Sequence, residues 1–391
     1  MSTPSSETKD SPMHFGAYYF PGYHRDPKTD DWHGCGWSEW NVLAAARPRY
    51  PGHQQPKISP WGDFDESDPA WAQKQVTLAA DHGIDFFIFD WYWYRNAAFL
   101  NGALDRGYLA PEVSRSTKFA LMWANHDWMN IHPSSAGQNP AVLLNGAVTE
   151  AEFDSLTEEL VGKYFTHPDY FLIEGKPYFS LYQSETFASG LGSMDVAARA
   201  IARLRAAAVG AGLPGIHLNL VVADQAILPG ESVEATAAHL VEELGADSTT
   251  SYVWIHHIDP ADYGYPQSSY AKMASAAEPV WEQLQSAQEV PYYPNVTVGW
   301  DSSPRTVQSD TYDNRGYPWM AVLHDNTPEL FDDALKRAVE HERSSGHSTK
   351  LVTINAWNEW TEGSYLLPDT VHGLGYLQAC ADAKDSAREN Q

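Results

Sequence analysis

The sequence predicts an α/β fold, a single closed (β/α)8 barrel with long βα loops, and three observations point to it. Eight short runs of β-branched and aromatic residues recur along the chain, each apolar enough to be buried on both faces, as parallel strands under helices are. Amphipathic stretches opened by Asp, Ser or Thr caps lie between them. No Gly/Pro-rich linker and no shift of composition divides the 391 residues, so strand and helix alternate within one domain. The alternative, a doubly wound open sheet, would carry a phosphate-binding glycine fingerprint after its first strand, and the segment from Ala17 to Tyr23 has none.

A Ser/Thr/Pro/Lys-rich start reads as a disordered tail over residues 1–13, with the catalytic barrel over 14–385. Phe15–Phe20 is the first strand. The segment from Gly22 to Pro69 is too long for an ordinary βα connection, and its Trp32, Trp37, Trp40 and Trp61 suit an ordered lid or a substrate wall. Helix Pro69–His82 leads to the second strand, Ile84–Asp90. The third strand, Lys118–Ala124, is followed by helix Glu150–Phe165, and the fourth, Pro177–Tyr182, by helix Met194–Val209. Ile216–Ala223 and helix Ser232–Leu244 come next, then Thr249–Trp254 with helix Ser268–Gln288. Asn295–Trp300 with helix Pro328–Ser344 precedes the eighth strand, Leu351–Trp357. No internal repeat is visible.

Charge removes whole classes of partner. With 25 basic and 51 acidic residues the net charge is −26, which repels phosphate backbones and anionic lipid, so neither nucleic acid nor membrane is an expected partner. Cys35 and Cys380 are too far apart in sequence for a disulfide framework or thiolate knuckle to be read. Met1 to His14 is polar, unlike a secretory leader. A cytoplasmic protein, monomeric or a small homo-oligomer, is the expectation. The 15 Trp, 21 Tyr and 14 Phe suit flat, hydroxylated ligands, which makes an oligosaccharide or polysaccharide the expected partner.

In such a barrel the active face lies at the C-terminal ends of the strands. There the chain reads Asp90-Trp91-Tyr92, Trp123-Ala124-Asn125-His126-Asp127-Trp128, Trp254-Ile255-His256-His257, Trp300-Asp301 and Trp357-Asn358-Glu359-Trp360-Thr361-Glu362-Gly363. Glu359 and Glu362 are the candidate catalytic pair, since glycoside cleavage needs one protonated and one ionised carboxyl. A Glu-x-x-Glu pattern alone is more often a solvated helix face; following the buried run Leu351 to Ala356, it falls where catalytic groups collect. Indole walls are expected to raise the pKa of Glu362, while the Asn358 amide keeps Glu359 ionised. Glu39 reads equally as a hydroxyl ligand or a helix cap, and Asp90 as a functional or orienting acid. His126-Asp127, His256-His257 and His324-Asp325 raise the possibility of a metal, but no His-x-His or His-Glu-x-x-His pattern accompanies them, so neither metal nor other cofactor is expected.

Several motifs together resemble the WbsX-like, glycoside hydrolase family 99-like proteins. They are Ala17 to His24, Gly36-Trp37-Ser38-Glu39-Trp40, Gly52 to Pro56, Trp123-Ala124-Asn125 and Asn355 to Gly363, and the resemblance spans Phe15 to Ala379. It implies a (β/α)8 barrel acting on α-linked mannose chains with retention, through attack of the sugar's own 2-hydroxyl on C1 to give a 1,2-anhydro sugar. By resemblance Glu359 deprotonates that hydroxyl and Glu362 is general acid and then base. Where such chains carry Glu after Trp-Ala-Asn this one has His126, and it has Leu367 before Pro368-Asp369; Asp90 stands where aromatics are frequent. Mannan is therefore not carried over as the substrate.

The expectation is a retaining glycoside hydrolase with stacking walls from Trp37, Trp40, Trp91, Trp123, Trp128, Trp357 and Trp360. Glu39, Asp90, Tyr92, Asn125, His126, Asp127, His256 and Asn358 complete the substrate-binding set. A glycosyltransferase of lipopolysaccharide or O-antigen assembly, a non-catalytic carbohydrate-binding barrel and a metal-dependent hydrolase are the rivals.

Overall fold

The computed structural model describes residues 11–389. Its centre is a ring of parallel strands: β1 (Met13–Tyr19), β2 (Phe86–Tyr94), β3 (Lys118–Trp123), β4 (Lys176–Leu181), β5 (His217–Val221), β6 (Ser248–Thr250), β7 (Tyr292–Tyr293), β8 (Asn295–Thr297) and β9 (Lys350–Asn355). Hydrogen bonding runs in the order β7-β6-β5-β4-β3-β2-β1-β9-β8. β7 pairs with β6 and β8 with β9, and only Pro294, which has no N–H for the ladder, separates the two. They are halves of one interrupted strand, so the sheet closes at eight positions as a (β/α)8 barrel. Register runs Gly16↔Phe86 between β1 and β2 and Gly16↔Thr353 between β1 and β9. Glycine at position 16 makes room for the Phe86 ring, since a Cβ there would lie 2.5 Å from it and displace it.

Strand alternation sorts the aromatic residues into two layers. In β2, Asp90 and Tyr92 face the barrel axis, while Phe87, Phe89 and Trp91 face outward to Tyr108 and Tyr164. The helical shell comprises α1 (Pro27–His33), α2 (Glu39–Ala45), α3 (Pro69–Asp81), α4 (Glu150–Glu159), α5 (Ser184–Leu191), α6 (Met194–Gly210), α7 (Ala237–Leu244), α8 (Tyr270–Ser286), α9 (Pro328–Ser344) and α10 (Gly375–Glu389). The caps read in the sequence act as such: Asp68 accepts from Ala70 N–H, Ser193 from Val196 and Thr327 from Leu330, and Thr149 forms a capping box with Glu152.

Several bounds differ from expectation. Residues 1–10 of the expected tail lie outside the described residues, and Met13, placed in that tail, is buried in β1. Helix 150–165 ends as a π-helical turn over Leu160–Phe165. The sixth strand stops at Thr250, because Trp254–His256 forms a 3-10 turn. The 232–244 helix starts only at Ala237, capped by Thr236. Helices α1, α2, α5 and α10 are additions; α1 and α2 give the long 22–69 segment its order. Among the described residues no helix is long and apolar enough to cross a membrane.

Candidate active site

Beyond β9 the chain makes a two-residue antiparallel bridge, Asn358-Glu359 with Ser364-Tyr365, around a 3-10 turn at Trp360–Glu362. Gly363 closes the turn at φ +66, and a Cβ there would sit 2.7 Å from that of Asp301. This reversal brings Glu359 and Glu362 to the same cavity at the C-terminal end of the barrel. Both are buried, 2% and 5% exposed.

One guanidinium spans them. Arg305, on the 3-10 turn after β8, donates through Nη2 to Glu359 Oε1 at 2.7 Å and through Nη1 to Glu362 Oε1 at 2.5 Å. Its Nε is 3.2 Å from Thr361 Oγ1, and Tyr317 Oη donates to Glu362 Oε1 at 2.8 Å. Glu359 Oε2 has no partner. Burial pushes both carboxyls up against the pull of Arg305, and Glu359 rises well above the usual carboxylate range because Glu362, Asp90 and Glu39 add repulsion. The expected split, with Glu359 held ionised by Asn358, is not what forms. The Asn358 amide instead clamps both backbone groups of Phe20, at 2.8 and 2.7 Å, and donates to Glu66.

Opposite the pair, Asp90 Oδ2 accepts from Tyr252 Oη at 2.9 Å, and burial raises its pKa well above normal. Glu39 lies behind Arg305, 3.9 Å from Nη2, with His132 Nε2 at 3.1 Å. Burial pushes Glu39 up, but His132 and Arg305 outweigh it and hold the carboxyl at about 2. It is neither cap nor cavity wall: Ser38 caps α2, in a box with Asn41.

Of the residues singled out in the sequence, Asp90, Tyr92, His126, Asp127, Trp128, His256, Glu359 and Glu362 line the cavity. Burial keeps His126 and His256 neutral, with pKa values about 4 and 3. The other indoles pack elsewhere. Trp91 meets Tyr164, Trp123 meets Phe153 and Phe187, and Trp357 donates to Gln75 of α3, so all three fill the strand–helix layer. Trp360 stacks on Tyr365, and Trp40 packs between Tyr23 and Phe64. Trp37 lines a neighbouring groove with Asn41 and His132. Asn125 exchanges two 2.7 Å hydrogen bonds with the Gln183 backbone, fixing the third and fourth loops. Among the described residues no three His, Cys, Asp or Glu side chains are grouped to hold a metal.

Sequence reasoning missed Arg305, Tyr252 and Tyr317, all on the cavity wall, where Trp300, read at the seventh strand's end, also lies. Arg305 had a signal: a lone basic residue just past the seventh strand, in a rim of acids. Tyr317 had none, since a distant loop delivers it.

Comparison with known proteins follows this geometry. The family model described as Glycosyltransferase WbsX matches residues 15–380. The uncharacterized protein WxcX of two Xanthomonas campestris pv. campestris strains is 26% identical, over 94% of this chain and 49% of the relative. The chain thus spans about half the length of the curated relatives it matches. Among solved structures, the GH99 endo-alpha-mannosidase from Bacteroides thetaiotaomicron is 14% identical with a TM-score of 0.56, covering 96% of this chain and 98% of that one. A glycoside hydrolase-like protein is 15% identical with a TM-score of 0.58, covering 98% and 96%. These two likenesses show a shared fold.

Proposed function

The chain belongs to the WbsX family, and we propose from the geometry of its cavity that it is a retaining glycoside hydrolase, cleaving an α-linked oligo- or polysaccharide with Glu359 and Glu362 as its working carboxyls. The observation that carries this is the fork of Arg305, which holds two buried carboxyls of raised pKa on one cavity wall. Protonated Glu362 donates to the leaving oxygen. Glu359, ionised when the proton that the two carboxyls share rests on Glu362, takes the proton of the sugar's 2-hydroxyl, whose oxygen attacks C1 and closes a 1,2-anhydro ring. Water, deprotonated by Glu362, then opens that ring at C1, and Glu359 returns its proton to O2. Two inversions leave the configuration retained. Arg305 couples the steps: as Glu359 becomes neutral, the guanidinium's attraction falls to the carboxylate forming on Glu362.

The family's description favours a second activity, transfer from a nucleotide-sugar donor. A diphosphate needs free cations or clustered N–H donors. Among the described lining residues the cavity's only Arg or Lys is Arg305, already engaged by two carboxylates, which favours hydrolysis. Glu359→Gln and Glu362→Gln are each expected to lower kcat by about 10²–10⁴-fold while calorimetry still detects oligosaccharide binding, and NMR of the first-formed product should show the α-anomer. An inverted anomer, or turnover intact in both variants, would overturn the assignment.

A further inference from the structure

The cavity holds more acid than the proposed reaction uses. Asp90 is 3% exposed, points inward from the middle of β2 on the cavity wall, and leaves Oδ1 without any partner. Its only donor is Tyr252, on Oδ2. Glu359, Glu362 and Asp127 share the wall, with Glu39 behind it. Against these, the only Arg or Lys among the described lining residues is Arg305, committed to Glu359 and Glu362; His132 is turned to Glu39, and burial keeps His126 and His256 neutral. A buried carboxyl with a vacant oxygen must either hold a proton or meet a donor.

Rings supply the rest of the setting. Tyr92 and Tyr252, with Trp128 and Trp300, line the same space, and their faces favour a cation. An ammonium offers three N–H donors and a full charge, where a hydroxyl offers one donor and none. Outside the cavity, the net charge of −26 draws cationic polymers and repels anionic ones.

We propose that the substrate is an α-glycan containing an unacylated amino sugar, whose ammonium ion-pairs with Asp90 beside the rings of Tyr92 and Tyr252. This deepens the hydrolytic assignment and rests on it for one detail. Glu359 needs a 2-hydroxyl, so on the reacting ring the amine lies at a carbon other than C2. Asp90 is neutral in the empty site and ionises when the ammonium enters, releasing one proton.

The probes are α-linked disaccharides carrying an amine at C3, C4 or C6, each with its N-acetyl and hydroxyl counterparts. Calorimetry on the whole chain should find at least one amine binding about tenfold or more tighter than both counterparts, with proton release shown by titration in two buffers of different ionisation enthalpy. In Asp90→Asn the amine-to-hydroxyl affinity ratio should fall to about one. Equal affinity for amines and hydroxyls at every position, no proton release, or a preference that survives in Asp90→Asn would each overturn the proposal. The wild-type titrations decide it even if the variant does not fold. Hydrolysis without amine preference sinks this inference and spares the hydrolase; amine-selective binding without any turnover does the reverse.

Discussion

Replacing Arg305 by methionine removes the guanidinium that Glu359, Glu362 and Glu39 share, leaving the first two buried without it and Glu39 with His132. Breaking a buried pair in this way costs about 3–5 kcal/mol. With an unfolding entropy of about 2.1 cal/mol/K per residue, a 391-residue chain loses roughly 4–6 °C in Tm at pH 7. The loss must depend on pH. Burial raises Glu359 and Glu362 in the native state, so both already cost stability as pH climbs above the unfolded value of about 4.3, and without Arg305 they cost more. Glu39, held at about 2, contributes stability that is present above its unfolded pKa and lost as pH falls toward 2. All three terms make the wild-type advantage small near pH 4 and large at pH 7. Scanning calorimetry of both proteins from pH 4 to pH 8 is the assay. A Tm difference that is flat across that range, or below 1 °C at pH 7, would refute the claim that Arg305 compensates these carboxylates.

The pH–rate profile should be bell-shaped with both limbs displaced upward from the ordinary carboxylate range, since activity needs one proton on the Glu359/Glu362 pair and burial raises both groups; an acid limb at or below pH 4.5 would contradict the burial of the pair. Glu66, which burial pushes to about 8 despite donors from Tyr23 N–H and Asn358, makes the wild type lose stability as pH rises from about 4.5 to 8. Glu66→Gln, whatever its offset, should gain relative to wild type by up to about 1.4 kcal/mol per pH unit in that window, and parallel melting curves would exclude this. Trp91→Ala should cost about 3–5 kcal/mol in denaturant unfolding, whereas Trp128→Ala should chiefly raise KM. Exhaustive chelation should leave turnover unchanged; loss of activity restored by one added metal would contradict a metal-free site.

Element type and order were legible because burial writes itself into composition. Runs such as Phe86-Phe87-Ile88-Phe89 suit a strand covered on both faces, and caps such as Asp68, Thr149 and Ser193 mark local backbone needs. That Glu359 and Glu362 reach one cavity was legible for a similar reason: a strand end followed by a glycine-closed turn is a local arrangement. The aromatic wall was not. Trp91 and Trp123 sit one residue from cavity-lining Asp90 and Met122, and a strand's twofold alternation sends neighbours to opposite faces, so proximity in sequence misdirects unless the inward parity is known.

The chain by itself therefore determined the barrel and the strand end at which Glu359 and Glu362 meet one cavity, since these follow from periodicity and from turns of a few residues. Closure of the barrel decided the rest. It set Arg305 from one loop between two carboxyls of another, brought Tyr252 to Asp90 from across the ring, and turned Asn358 away from Glu359 to clamp Phe20. Charge compensation and pKa depend on which side chains meet across tens or hundreds of residues, and no local pattern of sequence encodes that meeting.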